Sequence, residues 1–510
     1  MKSIKKLISF ISMTAVALTL AAPLTAYADE GVEKGYTYTY DYWAEIQYSP
    51  DAYSVIGVYT AGQLGLETGF KKPDGIYVKN RNVFVCDTGN NRVVEWERID
   101  DDDFKLLRII DKISGDIEVK ELSGPTDVCV SDDGYLYICD KGNERILKVD
   151  YNTLEFSRVY TKPDEATFDQ SISFLPDKLT VDSEGRVYVV CDNVNKGIVK
   201  YETDGKFAGF FGAMLAKYNW YTYFRKRFLA SDAQRAAMVN FVPTEYDNIA
   251  IDSEGFFFAC TTNVTGNDSS EEPVRRLNLL GNNILIENGY EEVVGDLQYG
   301  NFAGYTGPSL FIDVTALDNE VYVCLDKTRG RLFAYDEQGN LLYAFGGVGN
   351  IDGYFKTPVG LDHMGNDLFV LDSTDNSFTL FTPTEYGNLI FQALDEYERG
   401  DYIASGETWG KVKDLNGNCD LAYIGIGRSL LARKKYKESL VYFKTKWDTD
   451  HYSKAFKRYR KEWVEQYAGW LFLAFFALLI VPLAVKRVKM IKFEIDNADI
   501  FKPGKNQEIK

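Results

Sequence analysis

The chain has 510 residues, of which 45% are hydrophobic and 26% are charged, with a net charge of −18. This composition is typical of folded domains and excludes a disordered chain. The acidic charge is concentrated in residues 29–388, which hold 32 Lys and Arg against 59 Asp and Glu, a net charge of −27, and such a charge argues against nucleic acid as a partner.

The first 28 residues have the pattern of a signal peptide. Lysines precede an uncharged run from Leu7 to Leu24, and Ala26-Tyr27-Ala28 forms a small-x-small cleavage pattern. An uncleaved membrane anchor is the alternative, because the apolar run approaches spanning length. In either case we expect the residues that follow to lie outside the cytoplasm.

Six segments of the chain share one plan. Each has a short apolar strand, a polar turn such as Asp133-Gly134 and an aromatic-rich second strand, and third and fourth strands follow. The segments begin at Ile76, Val128, Leu179, Ile249, Val314 and Leu361. Six four-stranded blades that close into a ring give a mainly β fold, a six-bladed β-propeller.

The ring needs one strand from the N-terminal side. Residues 53–59, YSVIGVY, have the pattern of a fourth strand but precede the first blade, so we expect them to complete the sixth. Two of the distances between successive repeats are longer than the others, because a helical insert at about 213–240 and a polar loop at 263–273 lie between the repeats. The insert could cover one end of the propeller or dock a partner.

One position recurs at the end of each second strand. It is occupied by Asp87, Asp140, Asp192, Thr261, Asp326 and Asp372. The segments DTGNNRV at Asp87 and DKGNERI at Asp140 resemble the hallmark of NHL repeats, and the resemblance covers roughly residues 50 to 388. It implies an NHL-type propeller in residues 29–388, although Thr261 and the segment DSTDNSF at Asp372 depart from the pattern.

The recurring aspartates admit two interpretations. In three blades an arginine follows five residues later, which predicts an ion pair that holds the loop to the next strand. These pairs are Asp87/Arg92, Asp140/Arg145 and Asp326/Arg331. Alternatively, these loops and the starts of the inner strands share one face and form a binding rim.

The pattern changes to a helical period at Leu394. Small and aromatic residues lie at tetratricopeptide-like positions, which predicts a helical stalk at 389–466. These residues are Tyr402, Ser405, Trp409, Gly427, Tyr436, Ser439 and Phe443.

Residues 467–485 are uncharged and are followed by a basic segment, which predicts a transmembrane helix and a cytoplasmic tail at 486–510. The propeller and stalk are then extracytoplasmic on a single-pass cell-membrane anchor. The basic cluster before the span is either a solvated helix face or a contact with anionic lipid headgroups.

Propellers similar to this one, such as sugar lactonases and amidating lyases, hold a divalent metal where the inner strands converge. Since His363 and His451 are the only histidines, the sequence excludes a zinc site built from several histidines. The residues that open the inner strands align as Gly75, Asp127, Lys178, Asn248, Asp313 and Gly360. Three of them are possible Ca²⁺ ligands, but Lys178 would occupy or repel the site, and the alternative is a polar lining of a water-filled channel.

The sequence thus favours binding or scaffolding over catalysis, with no catalytic residue and no metal ligand assigned. The candidate binding residues are Asp127, Asn248 and Asp313 in the channel and Asp87, Asp140, Asp326 and Asp372 at the rim. The expected partners are a protein, small-molecule or carbohydrate ligand outside the membrane, the bilayer itself and, by resemblance, a membrane transport system. The alternative function is that of a metal-dependent lactonase- or lyase-like enzyme, with Ca²⁺ as the cofactor to consider. The seven cysteines are expected to be buried and unpaired.

Overall fold

The computed structural model describes residues 36–213, 245–262, 272–297 and 307–498. The predicted signal peptide, the insert from residue 214 onward, most of the polar loop at 263–273 and the end of the predicted tail lie outside these ranges.

Short strands with alternating apolar residues form six antiparallel sheets. The strands before the first blade are β1 (Thr37–Tyr40), β2 (Ile46–Ser49) and β3 (Tyr53–Thr60). Blade 1 contains β4 (Gly75–Lys79), β5 (Asn82–Asp87), β6 (Arg92–Arg98) and β7 (Phe104–Ile110). Blade 2 contains β8 (Pro125–Val130), β9 (Tyr135–Asp140), β10 (Arg145–Asp150) and β11 (Phe156–Tyr160). Blade 3 contains β12 (Pro176–Val181), β13 (Val187–Cys191), β14 (Ile198–Tyr201) and β15 (Phe207–Phe211).

The remaining blades follow the same order from the inner to the outer strand. Blade 4 contains β16 (Asn248–Ile251), β17 (Phe257–Cys260) and β18 (Val274–Leu277). Blade 5 contains β19 (Phe311–Ala316), β20 (Tyr322–Asp326), β21 (Arg331–Tyr335) and β22 (Leu341–Gly346). Blade 6 contains β23 (Pro358–Met364), β24 (Asp367–Asp372) and β25 (Ser377–Pro383). The inner strands contact one another in the closed order β4, β8, β12, β16, β19, β23 and back to β4, so the fold is a six-bladed β-propeller.

Strand β3 closes the ring, as the sequence predicts. It pairs antiparallel with β25 along its whole length, from Tyr53 opposite Pro383 to Thr60 opposite Ser377. Blade 6 therefore takes its outermost strand from the N-terminal side of the chain, and the first and last parts of the propeller are held together by a β-ladder.

Two blades differ from the predicted four-stranded plan. Among the described residues, blade 4 has three strands. Blade 5 has six, because the hairpin β1–β2 adds to β22 with Tyr38 opposite Ala344. The Tyr38 and Tyr40 hydroxyls both donate hydrogen bonds to the buried carboxylate of Asp296, which holds this hairpin in place.

The apolar core lies between successive blades. One cluster joins blades 1 and 2 around Leu136 and Ile138, and another joins blades 6 and 1 around Trp96 and Phe369. All seven cysteines are buried and none forms a disulfide bond, and all of them except Cys419 lie on strands of the propeller. Their burial raises the pKa of thiols such as Cys129, to about 12, so they are poor nucleophiles.

Five α-helices follow the propeller in the part of the chain that the structure describes. They are α1 (Glu385–Glu398), α2 (Tyr402–Leu415), α3 (Asp420–Ala432), α4 (Tyr436–Thr445) and α5 (Thr449–Ala498). Helix α1 begins slightly before the predicted domain boundary at 389. Helix α5 runs without a break through the boundaries predicted at 467 and 485.

Glycines allow close packing in the helical region. A side chain at Gly427 would lie 2.6 Å from the ring of Phe443, and one at Gly425 would lie 2.4 Å from the ring of Trp409. The described chain forms two compact units that divide within the helices, at 395/396, 410/411 and 421/422. That these helices are tetratricopeptide-like stays a prediction.

Helix α5 carries the predicted membrane span. Among the described residues it is the one helix that is long and apolar enough to cross a bilayer, and its most apolar window is fully exposed in the chain. By length and composition it could therefore span a membrane.

Candidate functional site

The residues that open the inner strands form a ring at one end of the central channel. In four of the blades a β-bulge lies directly before the ring residue, as between Pro125 and Asp127, and a bulge re-aims the side chain that follows it. The polar ring residues are almost fully buried, with exposed fractions of 9% for Asp127, 7% for Lys178, 7% for Asn248 and 5% for Asp313.

The ring carboxylates connect neighbouring blades. Asp127 of blade 2 accepts a hydrogen bond from the Leu179 amide of blade 3 at 2.8 Å, and Asp313 of blade 5 accepts one from the Leu361 amide of blade 6 at 2.7 Å. Asn248 instead accepts a hydrogen bond from the amide of the next residue in its own strand. The three residues that the sequence offers as possible Ca²⁺ ligands thus lie in one ring, and each already accepts a backbone hydrogen bond.

Lys178 reaches across this ring. Its Nζ donates a hydrogen bond of 2.8 Å to the Asp74 carbonyl oxygen, which directly precedes the inner strand of blade 1, two blades away. Burial alone would lower the pKa of the Lys178 ammonium, but the surrounding carboxylates outweigh this effect and the pKa is raised. These carboxylates belong to Asp74, Asp127, Asp177 and Asp313.

Burial has the opposite consequence for the two ring aspartates. It raises the pKa of Asp127 to about 7 and that of Asp313 to about 8, although Lys178 and backbone amides act in the other direction. Both groups therefore titrate near neutral pH.

This titration predicts the pH dependence of stability. Between about pH 5 and about pH 8 the folded chain holds a proton on Asp313 that the unfolded chain, with a pKa of about 3.9, has lost, so raising the pH favours unfolding. Asp127 acts in the same direction up to its own pKa of about 7. We expect the urea midpoint to fall across this range, and to fall less steeply in Asp313→Asn. An unchanged slope in that variant would contradict the assignment.

From the ring, a cavity of about 760 Å³ extends along the inner strands to the turns between the first and second strands. At that end the lining residues are exposed; they include Asp132, Ser183, Glu184, Glu254 and Asp318. The channel is therefore open at the turn face and narrowed by buried side chains at the ring.

The channel wall is strongly acidic. Its carboxyl groups belong to Asp127, Asp132, Asp182, Glu184, Asp252, Glu254, Asp313, Asp318 and Asp362, and its cationic residues are Lys79, Lys178 and Arg186. Asp127 and Asp313 titrate near neutral pH, and Arg276 pairs with Asp252 and Glu254. The other seven carboxyl groups still outnumber these four cations, so the channel has a negative field, which favours cationic ligands over anionic ones.

His363 was assigned no functional role from the sequence, but the structure places it in the channel wall. Its Nδ1 lies 2.7 Å from the Thr315 hydroxyl, and both lie beside the carboxylate of Asp362. Asp362 also accepts a hydrogen bond from the Val78 amide of blade 1. The signal available in the sequence was the position of His363 on an inner strand.

The recurring aspartates lie at the ring end of the propeller, opposite the open turn face. They do not line the cavity. Asp140 is fully buried, accepts a hydrogen bond from the Ser123 amide at 2.7 Å and pairs with Arg145 at 2.7 Å. Asp87 repeats these contacts with the Lys71 amide and Arg92. In both blades the carboxylate pairs with the arginine that opens the third strand, as the structural interpretation predicts, and it also binds the segment before the inner strand, which was not predicted.

The glycine of this motif also has a steric role. The Gly89 amide donates to the Lys71 carbonyl at 2.8 Å, and a side chain at Gly89 would lie 2.4 Å from that oxygen. Gly142 makes the same approach to Ser123. The motif therefore needs glycine because two backbone segments are in contact.

The predicted pair in blade 5 is wrong. Asp326 accepts hydrogen bonds from the Leu310 and Thr328 amides, whereas Arg331 pairs with Asp296 at 2.6 Å. The cause is the added hairpin, which brings Tyr38 and the buried Asp296 next to Arg331. Asp372, which has no arginine in its motif, accepts hydrogen bonds from the Lys356, Thr357, Thr374 and Asp375 amides.

The chain matches no protein-family model and no curated protein. Among solved structures it is similar to virginiamycin B lyase from Staphylococcus aureus, with 12% identity, 65% of this chain and 99% of that chain covered, and a TM-score of 0.35. It is similar to a streptogramin B lyase with 10% identity, coverage of 66% and 100%, and a TM-score of 0.37. It is also similar to hydrazine synthase from Kuenenia stuttgartiensis, with 12% identity, 63% of this chain and 98% of that chain covered, and a TM-score of 0.35. The identification of a six-bladed β-propeller rests on the pairing of the strands.

Proposed function

We propose that the chain is a membrane-anchored, extracytoplasmic binding protein whose propeller channel takes a polar ligand with net positive charge. The observation that supports this most directly is the open channel of about 760 Å³, in whose wall carboxyl groups outnumber cations. Channels with one sign of charge raise the local concentration of ligands of the opposite sign.

The ligand enters at the turn face. Glu184 and Asp318 are exposed there, and the ring at the other end is filled by buried side chains that are held by hydrogen bonds. This proposal moves the binding surface from the rim of recurring aspartates to the opposite end of the propeller.

Helix α5 supplies the anchor in this proposal. With the signal peptide directing export, the propeller and the stalk lie outside the membrane, and the basic residues after 485 lie in the cytoplasm. A membrane transport partner would then contact the anchor or the stalk, while the propeller holds the ligand.

A second candidate is an enzyme of the lactonase or lyase type. The observation that favours it is the position of His363 in the channel, with Nδ1 2.7 Å from the Thr315 hydroxyl. If the chain is such an enzyme, it converts a substrate, and His363→Gln abolishes this conversion. If it is a binding protein, it binds its ligand without breaking a bond in it.

Thermal shift measurements on the full chain test the binding proposal. At low salt we expect spermidine and tri-lysine to raise the melting temperature, and tri-glutamate to leave it unchanged, because only the cations are stabilised in the channel. The double variant Glu184→Gln/Asp318→Asn is expected to reduce the shift; neither side chain belongs to an ion pair in the described chain.

The matched control is Asp164→Asn/Glu165→Gln, which removes the same charge from an exposed segment outside the channel. Its shift with cations should equal that of the unchanged chain. Equal shifts in the channel variant and the control would mean that the ligand binds elsewhere, and a shift with tri-glutamate alone would contradict the proposal.

A further inference from the structure

Helix α5 extends beyond the helix that it packs against before it reaches the predicted span. Its first turns lie on α4, where the His451 ring stacks on the Phe443 ring at 5.4 Å and Ala455 is fully buried. From residue 456 to residue 470 almost every side chain is exposed. This part of α5 therefore presents its side chains to the surroundings of the chain.

One face of this part of the helix is basic. Lys454, Lys457, Arg458 and Lys461 recur at a spacing of three or four residues, which places them on the same face. Lys461 pairs with Glu465 at 3.7 Å in an exposed contact, and the other three have no ion-pair partner in the part of the chain that the structure describes. The basic face therefore carries positive charge that most of its residues do not share with a carboxylate.

The opposite face is aromatic. Phe456, Tyr459, Trp463, Tyr467 and Trp470 follow the same spacing, half a turn away from the lysines. The rings of Trp463 and Tyr467 lie 5.2 Å apart, and Trp470 is 71% exposed. Tryptophan and tyrosine are enriched where a protein crosses the boundary between membrane and water. A basic face opposite an aromatic one is typical of a helix segment that contacts a membrane surface.

The distance to the predicted span places both faces near the lipid headgroups. At a rise of about 1.5 Å per residue, Trp463 lies about 6 Å and Lys461 about 9 Å before residue 467 along the helix axis. The headgroup layer on each side of the hydrocarbon core is about 5–8 Å thick. Trp463 is therefore at the level of the headgroups, and the long side chains of Lys461 and Arg458 extend to them.

The usual distribution of charge around a membrane span does not account for the basic face. Lysine and arginine normally collect on the cytoplasmic side of a span. In the proposed orientation the basic face lies on the outer side, so another interaction must stabilise it there. The phosphate groups of anionic phospholipids have the complementary charge and lie at the right height.

We infer that residues 454–470 recognise anionic phospholipids of the outer leaflet. The basic face binds the headgroup phosphates, and the aromatic face lies among neighbouring lipids at the same level. This inference rests on the membrane anchor proposed above, but it does not depend on the ligand of the propeller channel.

Spin-labelled lipids test the inference. The full chain is reconstituted into phosphatidylcholine vesicles that contain a trace of spin-labelled phosphatidylglycerol or of spin-labelled phosphatidylcholine. Electron paramagnetic resonance then measures the fraction of each label that is immobilised at the protein. At low salt we expect this fraction to be at least about twofold larger for phosphatidylglycerol. The preference should fall at about 1 M NaCl, where the screening length is about 3 Å.

A charge variant locates the preference on the helix. Lys457→Gln/Arg458→Gln/Lys461→Gln removes three charges from the basic face and should lower the preference by about half or more. The matched control, Lys411→Gln/Arg433→Gln/Lys437→Gln, removes the same charge from exposed positions elsewhere in the helical region and should leave the preference unchanged. Both variants keep the basic residues after 485, so a difference between them belongs to the outer side. Equal preferences in the two variants would overturn the inference.

Alkaline carbonate extraction of the same vesicles tests the anchor separately. A chain that resists extraction but shows no preference for phosphatidylglycerol contradicts the inference alone and leaves an acidic protein as the partner of the basic face. A chain that is extracted contradicts both the anchor and the inference. Neither result affects the binding of cations in the propeller channel, which is tested by thermal shift.

Discussion

A chain that begins at Gln63 is expected to lose the cooperative unfolding transition, whereas a chain that begins at Tyr36 should retain it. The shorter chain lacks the β1–β2 hairpin of blade 5 and also β3, so the sixth blade loses its outermost strand and the ring is no longer closed by a ladder. Tyr53 stacks on Phe345 at 5.0 Å and Tyr59 stacks on Phe378 at 5.2 Å, and these contacts disappear as well.

The expected loss is comparable to the whole stability of a domain, about 5–15 kcal/mol, because seven residue pairs of the β3–β25 register are removed together. The exposed edge of β25 also favours aggregation. Near-UV circular dichroism and urea unfolding of the two chains provide the measurement. A single cooperative transition with the same midpoint in both would show that closure by β3 is dispensable.

Asp140→Ala is expected to lower the free energy of unfolding by about 3–5 kcal/mol, because it leaves the buried Arg145 guanidinium without its carboxylate. The Ser123 amide loses its acceptor at the same time, so the segment before the inner strand of blade 2 is held less firmly, although the hydrogen bond from the Gly142 amide to the Ser123 carbonyl remains. Arg145 keeps only neutral partners such as the Val119 carbonyl.

Asp204→Ala serves as the control. Asp204 also pairs with a basic residue, Lys206 at 2.6 Å, but both side chains are largely exposed, so we expect no measurable change in the urea midpoint. If Asp140→Ala were as stable as this control, the recurring aspartate would have no structural role, and its interpretation as a binding residue would gain weight.

Much of the propeller was predictable because its repeat is local. A strand, a polar turn and a second strand lie within about 20 residues, so both the alternation of apolar residues and the recurring Asp are visible along the chain. The closing strand was predictable for the same reason: residues 53–59 have the pattern of a fourth strand, and the sixth blade lacked one.

The parts that were not predictable depend on contacts between distant residues. The β1–β2 hairpin is held by Asp296, more than 250 residues away, and this contact draws Arg331 from Asp326. Likewise, the alignment placed Lys178 in the ring, but only the fold shows that its ammonium reaches the Asp74 carbonyl across the axis. The position of His363 beside Thr315 depends on the packing of blades 5 and 6.

The candidate site, like the fold, could be predicted from the sequence only in part. Asp127, Asn248 and Asp313 were correctly placed in one ring, since each opens an inner strand at the same register. The sequence could not indicate which end of the channel is open, because that depends on how the ring side chains and the turns fill the two ends.

Cysteine modification in the channel measures the sign of its electrostatic field. All seven native cysteines are buried, so Ala250→Cys adds a thiol in the channel wall against a low background. A trimethylammonium methanethiosulfonate and a sulfonate analogue of equal length report the sign of the field at that thiol. In an acidic channel we expect the cationic reagent to react at least about tenfold faster than the anionic one at low salt, and Glu184→Gln/Asp318→Asn to reduce this ratio. Equal rates, or a faster anionic reagent, would contradict an acidic channel that is open at the turn face.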